Sequence, residues 1–247
     1  MITNVSGKTD IGRLRELNED NFTIYGFEEN KPLGFCVLSD GMGGHNAGEV
    51  ASTEIVNHIS QDLGSLIDEA DEEKIVFNLT SSIDFANNLV FNMSTFNPQH
   101  RGMGATCVIA YVKEDKVWFA NVGDSRAYLI ADGTIEKITS DHSVVEELVK
   151  KGTITPEEAR FHPDKNIITR AVGTDKFVNS DIYQLDVEKN DTVLLCSDGL
   201  YEMITDEEIL EIISSEDNLD NITQKLIDSA NEKGGRDNIT VVLLRFA

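Results

Sequence analysis

Three aspartates in the sequence each follow a short apolar run of the kind that forms a buried strand. Asp40 and Asp198 both stand in the triplet Ser-Asp-Gly, and Asp124 lies in the looser copy Gly-Asp-Ser. An aspartate after a strand is most often a turn residue, because its side chain accepts hydrogen bonds from the nearby backbone. If several strand ends meet, however, their carboxylates repel one another unless a cation neutralises them. The hard divalent ions Mg²⁺ and Mn²⁺ prefer oxygen ligands of this type.

Other routes to phosphate chemistry fail on the sequence. A cysteine phosphatase needs an arginine six positions after its cysteine, where this chain has Met42, Lys113 and Glu202. Neither an Asp-x-Asp nucleophile pair nor a His-Glu-x-x-His metal motif occurs. The glycine-rich loop 41–44 could bind an anion through its backbone, but a glycine cluster is weak evidence on its own. The strand-end aspartates are therefore the best candidates for chemistry.

The elements that must position these aspartates come in blocks of strands and helices. Apolar runs predict strands at 22–27, 33–38, 105–112, 117–122, 127–130, 135–138, 182–185, 192–196 and 239–246. Apolar residues at three- and four-residue spacing predict helices at 47–63, 72–94 and 219–231. Capping boxes at Thr155 and Thr205 begin two more helices, the second ending near Ile213.

The block at 104–138 is interpreted as an antiparallel meander, in which Asp132-Gly133 forms a plain hairpin turn. The whole order differs from the alternation of strand and helix that parallel βαβ units show. It predicts an α+β fold with antiparallel sheets.

The charge of the chain limits its possible partners. The 247 residues include 44 Asp plus Glu against 21 Lys plus Arg, which gives a formal net charge of -23. Such an excess of carboxylates repels phosphate backbones and anionic lipid headgroups, so we expect neither nucleic-acid binding nor membrane binding. Most of the acids, including the runs at 71–73 and 206–208, are expected on solvated helix surfaces.

The cysteines and the N-terminus indicate the cellular compartment in which we expect the protein. Cys36, Cys107 and Cys196 lie in apolar runs, and we expect them to be small core residues in a reducing environment rather than disulfide partners. The N-terminus shows no secretory h-region, and no apolar stretch approaches the ~18 residues that span a bilayer. We expect a cytoplasmic monomer.

Five short segments occur in order along the whole chain. They are Arg15-Glu16-Leu17-Asn18-Glu19-Asp20, Ser39-Asp40-Gly41-Met42-Gly43-Gly44, Gly123-Asp124-Ser125-Arg126, Ser197-Asp198-Gly199-Leu200 and Gly235-Arg236-Asp237-Asn238. Each segment is weak evidence alone. Together, in this order and spacing, they resemble the metal-dependent protein phosphatase family (PPM, type 2C), and its bacterial branch in particular.

The resemblance implies a single phosphatase domain over 1–247, folded as a four-layer α/β/β/α sandwich of two antiparallel sheets flanked by helix pairs. It implies a flap, a substrate-facing insertion, at about 142–174. The implied activity is hydrolysis of phosphoserine and phosphothreonine in proteins, with Mn²⁺ or Mg²⁺ as the cofactor. The implied partners are phosphorylated proteins, among them a bacterial-type Ser/Thr kinase that the phosphatase would oppose.

The resemblance also implies two metal ions per chain. Asp40 corresponds to the carboxylate that bridges them, Asp198 and Asp237 to ligands of one ion, and the Gly41 carbonyl to a ligand of the other. Asp124, together with Asp198, corresponds to the site of a third ion. Two such cations lower the pKa of a bridging water toward neutrality. The resulting hydroxide would attack phosphorus in line, without a covalent phosphoenzyme.

Three further positions have implied roles. Glu19 and Asp20 correspond to residues that bind the metals directly or through water. Arg15 corresponds to the residue that binds the substrate phosphate, for which the planar fork of a guanidinium is well suited.

One departure from the family pattern concerns the leaving group. Many eukaryotic members have a histidine directly after the metal-binding Asp-Gly, proposed as the leaving-group acid, whereas this chain has Met42. His45 is three positions away and is not assigned that role. Water at the metals and His142 remain as alternatives. No catalytic role is expected for the other histidines: His58, His100 and His162.

Two functions of other classes remain open from the sequence. One is a non-catalytic phosphatase-like module that binds a phosphorylated partner, although degenerate modules of that kind would be expected to lose ligands such as Asp40, Asp198 and Asp237. The other is an acidic calcium buffer, which would show many weak calcium sites and no preference for Mn²⁺.

Overall fold

The computed structural model describes residues 3–27, 33–43, 47–67 and 71–247. The helices and strands in chain order are β1 (Thr3–Asp10), β2 (Asp20–Gly26), β3 (Leu33–Met42), α1 (Ala47–Leu66), α2 (Glu72–Phe96), β4 (Gly104–Ala105), β5 (Cys107–Lys113), β6 (Lys116–Val122), β7 (Arg126–Ala131), β8 (Thr134–Lys137), α3 (Val144–Lys150), α4 (Pro156–Arg160), β9 (Asp181–Asp186), β10 (Thr192–Cys196), α5 (Asp198–Tyr201), α6 (Asp206–Ser214), α7 (Leu219–Glu232) and β11 (Ile239–Phe246). A 3₁₀ turn at Pro98–His100 follows α2.

Two antiparallel sheets form the centre of the fold. Sheet A has the strand order β1-β11-β10-β7-β8, and sheet B has the order β2-β3-β5-β6-β9, with β4 paired to β3. Apolar side chains from both sheets fill the space between them. Helices α1 and α2 pack on the outer face of sheet B, and α6 and α7 pack on the outer face of sheet A. The expected four-layer sandwich with flanking helix pairs is therefore confirmed.

Strand β3 shows how the sequence specifies these layers. Phe35 and Val37 lie in the core beneath α1 and α2, whereas Cys36 and Leu38 lie in the core between the sheets. Successive side chains of a strand point to opposite faces, and here both faces are covered. The strand therefore has a continuous apolar run instead of an alternating pattern.

Side-chain caps fix where several helices begin. At α4, Thr155 accepts a hydrogen bond from the Glu158 N–H while the Glu158 carboxylate accepts one from the Thr155 N–H. Thr205 and Glu208 make the same exchange at α6, so both predicted capping boxes are confirmed. Asp71 caps α2 by accepting from the Lys74 N–H. Each cap satisfies an N–H group that has no partner within its helix.

Some elements are missed by the sequence patterns. Strand β1 has a single strongly apolar residue, Val5, yet it pairs with β11 along its whole length as an edge of sheet A. The polar segment 142–174 contains the short helix α3, which Ser143 caps by accepting from the Glu146 N–H. Contacts with distant parts of the chain form these elements, and periodicity does not record such contacts.

The meander predicted over 104–138 is wrong. Strands β5 and β6 pair in sheet B, but β7 and β8 belong to sheet A. The chain crosses between the sheets at Gly123, which has φ +106°, and a Cβ there would lie 2.6 Å from the Thr106 side chain. The predicted hairpin at Asp132-Gly133 is confirmed, since both residues have positive φ and join β7 to β8.

The cysteines behave as expected, because all three are buried and none forms a disulfide. Within the described residues, no helix has the length and apolar character needed to cross a bilayer.

The core between the sheets supplies a test of the fold. Phe119 on β6 is fully buried there, whereas Phe77 on α2 is 69% exposed. We expect Phe119→Ala to lower the free energy of unfolding by about 3–5 kcal/mol, because it removes buried contacts and leaves a cavity. Urea denaturation checks this, with Phe77→Ala as the matched control, expected within about 0.5 kcal/mol of the wild type. Equal effects of the two substitutions would contradict the assigned layers.

Candidate metal centre

The predicted acidic residues meet at one end of the sandwich and come from both sheets. Asp20 on β2 and Asp40 on β3 are direct antiparallel partners in sheet B, and Asp124 follows β6 of the same sheet. Asp198 follows β10 of sheet A, and Asp237 lies just before β11. Packing of the two sheets therefore brings together residues that are more than 200 positions apart.

These residues surround a cavity of about 230 Å³. Among the predicted site residues, all except Asp20 line it: Arg15, Glu19, Asp40, Gly41, Asp124, Asp198 and Asp237. Met42 also lines it, and so do two residues of the 142–174 segment, Asn166 and Ile168. Gly44 and His45 lie outside the described residues.

Asp20 is held beneath this cavity by neutral hydrogen-bond donors. Its Oδ2 accepts from the Ser197 hydroxyl at 2.7 Å and from the Thr240 hydroxyl at 2.6 Å, while its Oδ1 has no partner within the described residues. Burial raises the pKa of Asp20 to about 6, against the lowering effect of the two hydroxyls. The orientation of this carboxylate is therefore set by sheet A, although the residue belongs to sheet B.

The cavity concentrates negative charge. Burial raises the pKa of Asp40 well above its usual range, and the neighbouring carboxylates, Asp20 and Asp198 first among them, raise it further. The pKa of Asp198 is raised well above its usual range by burial and then by Asp124 and Asp237. Burial together with the charge of nearby acids also raises the pKa of Asp124 to about 6. Positive charge in the cavity would stabilise all of these carboxylates in their ionised form.

The donor set fits divalent cations with oxygen ligands. One buried carboxylate oxygen of Asp20 and one of Asp198 have no hydrogen-bond partner within the described residues, which is costly unless a cation or water satisfies them. Within the described residues, no three or more His, Cys, Asp or Glu side chains are already placed so that they could coordinate one ion together. Mg²⁺-type ions commonly use one or two protein carboxylates and retain several waters, and an open, acid-lined cavity suits that mode.

The backbone beside Asp40 is tightly packed. A Cβ on Gly41 would lie 2.2 Å from the Gly48 carbonyl oxygen at the start of α1, so only glycine fits there. A Cβ on Gly48 would in turn lie 2.5 Å from Glu19 Oε1. These close approaches place the Glu19 carboxylate against the first turn of α1, next to Asp40.

Arg15 is the only cation among the described residues that line the cavity. Its side chain is 47% exposed, and its Nη2 donates to Asp237 Oδ2 at 2.7 Å. A guanidinium has five N–H donors in a planar fork, so one contact with Asp237 leaves others for an anion in the cavity.

Asn238 is a site residue whose role the sequence does not reveal. Its Nδ2 donates to the carbonyl oxygens of Ile11 and Leu17, both at 3.0 Å, and its Oδ1 accepts from the Glu19 N–H at 2.8 Å. Three hydrogen bonds from one buried side chain thus fix the loop that carries Arg15 and Glu19. The only signal in the sequence is its place after Asp237 in the fifth motif.

His142 does not face the cavity. Its Nδ1 accepts from the Gly123 N–H at 3.0 Å and its Nε2 lies 3.2 Å from Asp181 Oδ2. Burial lowers the pKa of this imidazole, so it is neutral at pH 7. Both ring nitrogens are engaged, which argues against His142 as a leaving-group acid and for a role in holding the start of the 142–174 segment.

Comparison with known proteins decides the family. The model of the protein phosphatase 2C family matches residues 13–243, which include every residue of the candidate site. The chain belongs to this family. The five sequence motifs therefore reflect a true family relationship.

Relatives within the family are bacterial. The chain is 39% identical to the serine/threonine phosphatase stp of Listeria welshimeri over 96% of this chain and 93% of that protein. Its structure superposes on Stp1 from Staphylococcus aureus with a TM-score of 0.91 and 38% identity, covering 100% of this chain and 96% of that one. It also superposes on the catalytic domain of the phosphatase PstP, described as in complex with two manganese ions, with a TM-score of 0.84 and 32% identity, covering 98% and 97% of the two chains.

The Asn238 contacts predict a local effect on the site of this family member. Asn238→Ala removes the partner of two half-buried carbonyl–amide hydrogen bonds and of one backbone N–H, so we expect the free energy of unfolding to fall by about 1–3 kcal/mol. Hydrogen exchange should become faster in residues 11–19 and stay unchanged in α7. The matched control is Asn92→Ala, an exposed asparagine on α2. Unchanged exchange in residues 11–19 would show that Asn238 does not hold the loop.

Proposed function

We propose that the chain is a metal-dependent protein phosphatase that hydrolyses phosphoserine and phosphothreonine in proteins. The observation that carries this proposal is one cavity that holds Arg15 together with five carboxylates, one of which, Asp198, has a buried oxygen without a hydrogen-bond partner within the described residues. Membership in the protein phosphatase 2C family and the names of the bacterial relatives support the same activity. A guanidinium binds phosphate oxygens well, and carboxylate oxygens bind the divalent cations that offset phosphoryl charge.

The metal-holding residues are proposed from the family motifs and the cavity lining. Asp40, the Gly41 carbonyl, Asp198 and Asp237 would hold two ions, Mn²⁺ or Mg²⁺. Asp124 would hold a third ion together with Asp198. Bound divalent cations supply Lewis-acid activation of water and offset the charge of the phosphoryl group.

Glu19 and Asp20 are proposed to act directly or through water. Glu19 presents its carboxylate from the loop that Asn238 fixes. The Ser197 and Thr240 hydroxyls hold Asp20 through Oδ2, and its Oδ1 is left without a hydrogen-bond partner within the described residues.

The protein's own groups position the substrate. Arg15 donates to phosphate oxygens, and its contact with Asp237 orients the guanidinium toward the cavity. No histidine is present among the described residues of the cavity lining, and Met42 occupies the place where some relatives have one. Protonation of the leaving alkoxide is therefore assigned to water rather than to a side chain.

The biological setting is also proposed. Residues 1–247 act as one phosphatase domain, and the 142–174 segment acts as its flap. The substrates are phosphorylated proteins, and the opposing enzyme is a bacterial Ser/Thr kinase. A monomer in a reducing cytoplasm agrees with the three buried free thiols.

Loss of single carboxylates should abolish turnover. We expect Asp40→Ala and Asp198→Ala each to lower hydrolysis of a phosphothreonine peptide by about 100-fold or more in the presence of Mn²⁺, because each removes an oxygen ligand from the centre. Phosphate release measures the rate. The control is Asp228→Ala on α7, which should leave the rate unchanged. Chelation with EDTA should stop the wild-type reaction, and excess Mn²⁺ should restore it.

The possible contrary outcomes separate the alternatives. Full activity of the two variants would contradict the proposed centre. Tight phosphopeptide binding by the wild type without turnover would favour a non-catalytic module, and many weak calcium sites without Mn²⁺ preference would favour a calcium buffer.

The net charge predicts a substrate preference. A chain with a formal charge of -23 attracts basic peptides and repels acidic ones, so flanking Lys and Arg should raise kcat/KM by about 10-fold over flanking Glu and Asp at low salt. Measurement at about 0.02 M and about 0.5 M salt should show the advantage shrinking, because salt screens exposed charges. Equal rates for the two peptides at low salt would contradict the electrostatic preference.

A further inference from the structure

The 142–174 segment reaches the candidate metal centre through two residues. Asn166 and Ile168 line the same cavity as Arg15, Asp40 and Asp237. Ile168 is apolar, so Asn166 is the polar group that this segment contributes to the cavity. No sequence motif of the family resemblance includes it.

The backbone on both sides of Asn166 is held in place. The Ile167 carbonyl accepts from the Val144 N–H at 2.9 Å, and the Thr169 N–H donates to the His142 carbonyl at 2.7 Å. On the other side, the Lys165 N–H donates to the His162 carbonyl at 3.2 Å, and the Lys165 ammonium forms an ion pair with Glu202. Asn166 is therefore an exposed side chain on a fixed turn, which lowers the entropy cost of a contact with a ligand.

The chemistry of the lining singles out this amide. Five carboxylates line the cavity, and Arg15 is its one cation among the described residues. The Thr106 hydroxyl is already engaged, because it accepts from the Asp40 N–H at 2.9 Å and pairs with the Ser125 hydroxyl at 2.7 Å. Asn166 has no hydrogen-bond partner within the described residues, and it is the only neutral amide side chain in that part of the lining.

We propose that Asn166 is a substrate-binding residue, whose Nδ2 donates a hydrogen bond to a phosphate oxygen of the phosphoserine or phosphothreonine on the side of the cavity that the 142–174 segment forms. This inference rests on the proposed function. An amide is the suitable donor there, because it binds a phosphate oxygen without adding a charge that would compete with cations for the carboxylates. Arg15 and Asn166 then hold the phosphate from the core and from the segment, respectively.

The test compares Asn166→Ala and Asn166→Asp with the exposed control Asn92→Ala. Steady-state kinetics on p-nitrophenyl phosphate and on a phosphothreonine peptide give KM and kcat, and inhibition by inorganic phosphate gives its Ki. For Asn166→Ala we expect KM and the phosphate Ki to rise about tenfold, with kcat changing less than about threefold, because the contact is made to the bound phosphate throughout. Asn166→Asp should weaken phosphate binding further through charge repulsion. Asn92→Ala should match the wild type.

Two readouts separate this role from others. The Mn²⁺ concentration that gives half-maximal activity should be the same in Asn166→Ala and the wild type, and the thermal midpoint should be unchanged. An unchanged phosphate Ki in Asn166→Ala would overturn the proposal, and so would a raised Mn²⁺ requirement with normal phosphate binding. Binding of inorganic phosphate measured by calorimetry does not need turnover. If the wild type binds phosphate but hydrolyses no substrate, the proposed function fails while the Asn166 contact is still tested.

Discussion

Repulsion among buried carboxylates is the constraint on which this structure depends. Asp20, Asp40, Asp124 and Asp198 are largely withdrawn from water at one end of the sandwich, and each raises the cost of ionising its neighbours. Such a cluster persists only if the scaffold fixes the acids rigidly. The two sheets do so, because each carboxylate stands at or beside a strand end that is hydrogen-bonded on a packed sheet. The stability of the apolar core offsets the strain of assembling the site.

Neutral groups, and not cations, do most of the positioning. Hydroxyls of Ser197 and Thr240 hold Asp20, and the amide of Asn238 holds the loop before it. The nearby Arg126 is paired with Asp141 and stacks on Tyr201, and its charge lowers the pKa of Asp124 only in part against the raising effect of burial. These neutral partners orient the carboxylates and leave their negative charge available for binding divalent cations. Salt bridges to Asp20, Asp40 and Asp198 would have offset the charge with which these carboxylates bind divalent ions.

The sequence predicts the layers and the acids better than the connections between them. Asp40, Asp124 and Asp198 are recognisable because each follows an apolar run, and the Asp132-Gly133 hairpin is recognisable from its turn residues. The sequence pattern does not predict strand β1, because an edge strand needs few apolar side chains. The sequence pattern does not predict the crossover between the sheets at Gly123, because strands of one meander and strands of two sheets show the same local spacing of apolar residues and turns. The contacts of Asn238 and the place of Asn166 in the cavity lining depend on how distant segments pack, which residue type and spacing do not encode.

The 142–174 segment and the acidic centre are physically linked through Asp124. A second cavity of about 410 Å³ lies between this segment and the core, and Asp124 is the only described residue that lines both cavities. The Tyr201 hydroxyl donates to the Asp124 carbonyl at 3.1 Å, and the next residue, Glu202, pairs with Lys165 of the segment. The Lys165–Glu202 pair therefore joins the segment to the turn of α5 whose Tyr201 binds the Asp124 carbonyl. The segment thus contributes Asn166 to the cavity and also contacts the turn that is hydrogen-bonded to one of the cavity's acids.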